Sequence, residues 1–246
     1  MSWTILQIPS LWQRWVGLLI CSTLGSLALA EAYLLIPQEV RPQKRLLLGT
    51  ALLMWLCTSY QGFALGLISS VILSLAALAP LIRVQPLVWG GFLIPYVWVI
   101  LPFAAALLIW TGSLQGPAWV LSSVICVKGA DIAAFLGGTF FGRHPLAPNW
   151  SPKKTIEGLI SALAIGTGLG WTTFGYGLGL PLWSALSVGA ILSVAGALGD
   201  LLESGFKRAA GVKDSGLLAG LGGVLDIVDA LLVAWPILLL LHMFLQ

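Results

Sequence analysis

Charged side chains are scarce in this chain of 246 residues. They make up 9% of it, whereas an average soluble domain contains about 25%. The 12 Lys and Arg and the 9 Asp and Glu residues are too few to cover the surface of a soluble fold of this length. Because 59% of the residues are hydrophobic, most of the surface is expected to face lipid. The composition excludes an ordinary cytosolic protein and predicts an all-α, polytopic integral membrane protein.

Cysteine is rare as well, and its three positions are Cys21, Cys57 and Cys126. Each lies in an apolar run, and none has a partner at the spacing of metal-ligating cysteines. This pattern excludes a disulfide framework and a thiolate metal site. It favours three small apolar packing residues.

Long apolar runs, in contrast, are abundant. A helix needs about 20 apolar residues to cross a bilayer. On that measure the sequence predicts about eight transmembrane helices, at residues 15–36, 46–60, 62–82, 87–111, 118–142, 155–178, 182–204 and 222–244. The division between the second and third of these spans depends on Gln61-Gly62 alone.

The basic residues alternate between the connections of these spans. Ten of the 12 fall in every second connection, and the intervening connections contain none. The positive-inside rule places the ten-base side in the cytoplasm and both termini on the opposite side, as expected for a bacterial-type inner (plasma) membrane protein. The ten residues are Arg41, Lys44, Arg45, Arg83, Arg143, Lys153, Lys154, Lys207, Arg208 and Lys213.

Charges inside the predicted spans need a reason, because each costs about 2.5–3.5 kcal/mol even on a lenient scale. Lys128 and Asp131 lie three residues apart in the fifth span, hence on one face of a helix, where they can pair. Two interpretations stay open: a structural ion pair between helices, or an Asp131 side chain that reaches a polar cavity.

Acidic residues are concentrated near the ends of the last two spans. Asp200, Glu203, Ser204 and Lys207 follow the spacing i, i+3, i+4, i+7, so a continuing helix would place them on one face. The pair Asp226 and Asp229 opens the last span. Since the predicted topology puts Asp200 and Asp226 at the cytoplasmic ends of consecutive helices, we expect them to converge.

Carboxylates beside cationic side chains at a membrane surface suit phosphate chemistry. Mg²⁺ is held by one or two carboxylates together with substrate phosphates, and Lys and Arg neutralise phosphate oxygens during phosphoryl or nucleotidyl transfer. The pattern predicts a site for a Mg²⁺-nucleotide or a phospholipid headgroup. A basic cluster that only meets anionic lipid would explain Lys207, Arg208 and Lys213, but not the acids.

Three ordered motifs within residues 128–235 resemble the phosphatidate cytidylyltransferase (CDP-diacylglycerol synthase) family. The first matches D-x-x-A-[YF]-x-x-G, F-G and S-P-x-K-T-x-E-G, at Asp131, Ala134, Phe135, Gly138, Phe141, Gly142, Ser151, Pro152, Lys154, Thr155, Glu157 and Gly158. The second matches S-x-x-K-R-x4-K-D-x-G at Ser204, Lys207, Arg208, Lys213, Asp214 and Gly216. The third matches most of H-G-G-x-x-D-R-x-D at Gly222, Gly223, Asp226 and Asp229, with Leu221 in place of His and Ile227 in place of Arg.

The resemblance implies a role for each matched residue. The implied metal ligands for Mg²⁺ or another divalent cation, with room for a second metal, are Asp131, Asp200, Asp226 and Asp229. The implied catalytic residues are Asp200, Glu203, Lys207, Lys213, Asp214 and Asp226. The implied substrate-binding residues are Ser151, Lys154, Thr155, Glu157, Ser204, Arg208, Gly222 and Gly223.

The implied reaction converts CTP and phosphatidic acid into CDP-diacylglycerol and pyrophosphate. We expect it in a C-terminal catalytic transmembrane domain, residues 112–246, that follows N-terminal transmembrane helices in residues 1–111. The partners are then CTP, phosphatidic acid and the lipid bilayer, without nucleic acid, and a homodimer stays open. Two alternatives also remain: a CTP-dependent polyprenol or phytol kinase, and a non-catalytic membrane protein or transporter.

Overall fold

The computed structural model describes residues 11–34, 96–209 and 223–245. These parts of the chain are helical except for one short hairpin, and the predicted helical membrane class is confirmed. The predicted spans 46–60 and 62–82 lie outside the described residues. The count of eight spans therefore stays a prediction.

The elements are numbered in chain order among the described residues. The helices are α1 (Leu11–Leu34), α2 (Leu101–Gly112), α3 (Gly116–Phe141), α4 (Ile156–Gly170), α5 (Leu182–Ala209) and α6 (Val224–Leu245). Two π-helical segments adjoin them, Tyr96–Ile100 before α2 and Trp171–Gly177 after α4. The hairpin between α3 and α4 consists of β1 (Pro145–Ala147) and β2 (Ser151–Thr155), which pair antiparallel.

Four of these helices, α1, α3, α5 and α6, are long and apolar enough to cross a membrane. The most apolar stretch of each helix has a mean hydropathy between 1.6 and 2.3. They coincide with four predicted spans, but α5 continues to Ala209, beyond the predicted end at residue 204. Lys207 and Arg208 therefore belong to the helix, and the predicted one-face arrangement of Asp200 to Lys207 is confirmed.

The described residues belong to two compact units. The first comprises residues 1–117 and 215–225, and the second comprises residues 118–214 and 226–246. In the first unit, Gln13 Nε2 donates to the Trp110 carbonyl at 2.9 Å, and Trp110 Nε1 donates to the Gln13 carbonyl at 2.9 Å. These reciprocal bonds join α1 to α2 and satisfy polar groups where lipid offers no partner.

Glu31 is a second polar contact in the first unit. It lies in the apolar helix α1 and is 1% exposed. Its Oε2 accepts a hydrogen bond from the Leu225 backbone N–H at 2.7 Å. Since the first N–H groups of a helix have no partner within it, this carboxylate satisfies one donor at the start of α6.

In the second unit, α4 and α5 pack at backbone distance through glycines. A Cβ added at Gly170 would lie 2.5 Å from Gly189 Cα and 2.7 Å from the Ala185 carbonyl oxygen. A Cβ at Gly166 would overlap Ser193 Oγ. Helices in membranes approach closely where residues are small. These two glycines thus fix the position of α4 against α5.

We expect Gly170→Ala to destabilise the protein by about 1–3 kcal/mol, because the added methyl group forces two backbones apart. Gly168→Ala is the matched control in the same helix, since a Cβ there meets nothing within 4 Å. That variant should be neutral or more stable by less than about 1 kcal/mol. Unfolding midpoints of both purified variants in detergent test the pair, and equal midpoints would contradict this packing.

The hairpin connects α3 to α4 and ends in a helix cap. Thr155 is extended, and its Oγ1 accepts a hydrogen bond from the Gly158 N–H at 3.1 Å. This is the N-cap arrangement favoured by Thr. It fixes β2, and with it Ser151 and Lys154, at the N-terminal end of α4.

Candidate functional site

Helices α5 and α6 bring three carboxylates together in the second unit. Asp200 and Glu203 lie one turn apart on α5, and Asp229 lies in the first half of α6. One carboxylate oxygen from each lies within 4.8 Å of the others. Asp229 and Glu203 are buried, so this triad is not an ordinary solvated acidic surface.

The expected convergence of α5 and α6 involves Asp229 more closely than Asp226. Asp226 lies one turn nearer the start of α6 and hydrogen bonds to Lys207. Lys207 also pairs with Glu203, Nζ to Oε1, at 2.7 Å. The buried Lys207 ammonium thus bridges a carboxylate of each helix, and Asp226 is not a member of the triad.

Two more lysines reach the same group of acids from other elements. Lys154 of β2 pairs with Asp200, Nζ to Oδ2, at 2.9 Å. Lys128 of α3 pairs with Asp131 at 3.1 Å and with Asp229 at 3.5 Å. The pairing of Lys128 with Asp131 follows from their spacing and is confirmed. Its contact with Asp229 extends the network from α3 to α6.

A cavity of about 530 Å³ opens beside this network. Its polar lining includes Asp131, Ser151, Lys153, Lys154, Thr155 and Asp200. Its apolar lining includes Phe135, Leu146, Leu159, Ala162 and Ala197. The volume falls within the range of small-molecule sites, about 300–1,000 Å³. Of the two interpretations of Asp131, its position in this lining agrees with the polar cavity, while its bond to Lys128 agrees with the ion pair.

Several predicted site residues occupy other positions. Glu157 accepts hydrogen bonds from the backbone N–H groups of Arg143 and His144, at 3.1 and 3.3 Å. Its Oε1 also lies 2.6 Å from His144 Nδ1. The hydrogen bonds of Glu157 thus stabilise the connection between α3 and β1. Of the remaining predicted residues, Ser204 and Arg208 lie on α5, Gly223 precedes α6, and Lys213, Asp214 and Gly222 lie outside the described residues.

The triad has the donor chemistry of a divalent-cation site. Hard cations take carboxylate oxygens, and three such oxygens from Asp200, Glu203 and Asp229 are already close together. Compared with the predicted ligand set, this group keeps Asp200 and Asp229 and adds Glu203. The remaining two predicted ligands, Asp131 and Asp226, lie outside this group of three.

Comparison with known proteins places this architecture in a family. The model of the "Cytidylyltransferase family" matches residues 2–245. The chain belongs to the cytidylyltransferase family. A phosphatidate cytidylyltransferase of Staphylococcus aureus is 42% identical over 127 residues, which are 50% of this chain and 48% of that protein. Another, from Mycobacterium tuberculosis, is 38% identical over 132 residues, 52% of this chain and 40% of that protein. The match therefore covers less than half the length of these curated relatives.

In this member of the cytidylyltransferase family, the sequence motifs include Phe135 of the apolar cavity lining but miss Leu159, Ala162 and Ala197. Leu159 and Ala162 follow Thr155 on α4, and Ala197 precedes Asp200 by three residues on α5. Their spacing could have indicated them, because each lies about one or two turns from a predicted polar site residue on the same helix. The contact of Lys128 with Asp229 had no such signal, because 101 positions separate the two residues.

Proposed function

We propose that this protein is a CTP:phosphatidate cytidylyltransferase, which makes CDP-diacylglycerol and pyrophosphate from CTP and phosphatidic acid for phospholipid biosynthesis. Membership of the cytidylyltransferase family and the names of its relatives support this proposal. The described residues of the cavity and of the ionic network fall between 128 and 229. They lie within the C-terminal region, residues 112–246, that we propose as the catalytic domain.

The observation that carries the proposal is the cavity, whose lining combines charged and apolar side chains. Lys154 and Asp200 suit a metal-bound triphosphate. Phe135 and Leu159 suit the hydrocarbon that adjoins the headgroup of a lipid. A site for both CTP and a phospholipid needs both kinds of lining.

In the proposed reaction, a phosphate oxygen of phosphatidic acid attacks the α-phosphorus of CTP. The bond from that phosphorus to the bridging oxygen breaks, and its electron pair leaves with pyrophosphate. The attacking phosphate is ionised at neutral pH, so the site needs alignment and charge neutralisation more than a strong base. Asp200, Glu203 and Asp229 would hold Mg²⁺, which when bound supplies positive charge against the phosphate oxygens.

The lysines of the site would exchange partners when substrate binds. Lys154 pairs with Asp200, and Lys207 pairs with Glu203 and Asp226. When the carboxylates act as metal ligands, these ammonium groups would turn to phosphate oxygens of the substrates. Each lysine is thereby held ready in position, which limits the entropy lost when CTP binds.

The experiment that tests the function supplies purified protein with CTP labelled on either the α- or the γ-phosphorus. With phosphatidic acid and Mg²⁺, we expect α-label in the lipid product and no γ-label. Transfer of γ-label to a polyprenol or phytol would establish the lipid kinase instead. Absence of both transfers, in protein that elutes as a folded species, would favour the non-catalytic protein or transporter.

We also propose that the site faces the cytoplasm of a bacterial inner membrane, because the ten-base side is the nucleotide-containing side. Single cysteines replacing exposed residues test this in a background with Cys21, Cys57 and Cys126 changed to Ala. An impermeant thiol reagent should label Gln115→Cys in intact cells. It should label Asn149→Cys, in the hairpin connection, only after permeabilisation. The reverse pattern would overturn the orientation, with both termini then cytoplasmic.

A further inference from the structure

The ionic network of the site carries a definite charge. Within the described residues, ion pairs and the triad join five carboxylates to three lysine ammonium groups. With every carboxylate ionised and every lysine protonated, two formal negative charges remain, which one divalent cation would balance. The members are Asp131, Asp200, Glu203, Asp226, Asp229, Lys128, Lys154 and Lys207.

Lys128 differs from the other two lysines in the acids that it contacts. Its Nζ lies 3.1 Å from Asp131, on the wall of the cavity, and 3.5 Å from Asp229, in the carboxylate triad. The other two lysines are expected to contact phosphate in the proposed reaction. Lys128 instead lies between two acids that would otherwise repel each other across α3 and α6. A cation at this point stabilises the ionised form of both acids, because two carboxylates close together in a low-dielectric region do not both stay ionised without one.

We propose that Lys128 is a built-in cation that takes the place of a second metal ion and restricts the substrate-free site to one divalent cation. The inference rests on the proposed function, in which the triad of Asp200, Glu203 and Asp229 holds the metal. Lys128 is a positioning residue. It holds the Asp229 carboxylate in place and reduces the net negative charge of the site at which a metal ion binds. Metal brought by CTP itself is additional to this count.

The first test measures Mn²⁺ bound to the purified full-length protein without nucleotide, from the electron paramagnetic resonance signal of free Mn²⁺. We expect one Mn²⁺ per chain in the wild type. In Lys128→Met, which keeps the length of the side chain, the network has three formal negative charges. One Mn²⁺ leaves one of them uncompensated beside Asp131 and Asp229, so we expect a second Mn²⁺ to bind there. Loss of a positive charge a few ångströms from the triad should also lower the Kd of the first ion by about tenfold or more.

Two further variants separate charge from other effects of the substitution. Lys128→Arg keeps the positive charge and should bind one Mn²⁺, as the wild type does. The double variant Lys128→Met with Asp131→Asn removes one charge of each sign, so the network returns to two net negative charges. It should return to one Mn²⁺ per chain, and two Mn²⁺ there would contradict the charge count. If Lys128→Met fails to fold, Lys128→Gln provides the same test with a polar side chain.

One Mn²⁺ per chain in Lys128→Met, with a Kd within twofold of wild type, would overturn the proposal. Lys153→Met serves as the matched control, because this lysine lies on the cavity wall but is exposed. The outcome is distinguishable from failure of the proposed function. Unchanged Mn²⁺ binding together with normal transfer of α-label refutes only the role of Lys128, whereas the expected Mn²⁺ counts without any transfer refute only the reaction.

Discussion

Asp200→Asn is expected to lower kcat for the proposed transfer of CMP by about 100-fold or more. Asp200 belongs to the carboxylate triad, lines the cavity and is the partner of Lys154. Its amide variant would remove a charged metal ligand and leave the Lys154 ammonium without its carboxylate. Losses of about 10²–10³ in kcat are typical when one electrostatic contact to a developing charge is removed. Steady-state transfer of α-label from CTP measures the effect.

Asp226→Asn is the matched variant, since it makes the same chemical change one helix away and outside the triad. We expect Asp200→Asn to weaken Mn²⁺ binding by about tenfold or more, and Asp226→Asn to change it much less. Equal weakening by both would favour the ligand set implied by the family motifs, with Asp226 as a ligand. Normal kcat in Asp200→Asn would contradict the proposed site as a whole. Unfolding midpoints in detergent establish that both variants are folded.

Lys207→Met is expected to reduce the free energy of unfolding by about 3–5 kcal/mol. The Lys207 side chain is 10% exposed and pairs with Glu203, which is 6% exposed, and with Asp226. Removing the ammonium leaves two carboxylates without their counterion in a protein interior. Breaking a buried ion pair costs this much because the remaining charge is not compensated.

Lys153→Met is the control for this prediction, because it removes a lysine that is exposed to solvent. Its effect on stability should stay within about 0.5 kcal/mol. Addition of Glu203→Gln to Lys207→Met should recover part of the loss, since it removes one of the two uncompensated charges. Reversible unfolding in detergent gives all three values. A midpoint for Lys207→Met equal to that of Lys153→Met would contradict a stabilising role for the ammonium group.

The sequence predicts well those features that the bilayer or a helix period determines. The lengths of the apolar runs predict four of the spans that the structure describes, because a bilayer requires about 20 apolar residues per helix. The common face of Asp200, Glu203 and Lys207 and the pair Lys128 and Asp131 follow from the 3.6-residue period. Each of these features depends on one helix alone.

Contacts between helices were not predictable in the same way. Whether Asp226 or Asp229 meets Asp200 depends on the rotation of α6 about its axis, since the two acids are one turn apart. A single sequence contains no direct signal of that rotation. The β-hairpin was also missed, because its strands have three and five residues and Pro, Lys and Ser are not typical of strands. It forms because its ends are fixed by α3 and by the Thr155 cap.

The close approach of Gly170 to Gly189 also restricts the sequence changes open to this gene. Every single-base change that replaces glycine by another amino acid adds at least a Cβ atom. At these two positions that atom would clash with the backbone of the facing helix. No single-base replacement at either position avoids this contact. In a saturation library selected for function, replacements at both codons should therefore be depleted, while the codon of Gly168 should accept small residues.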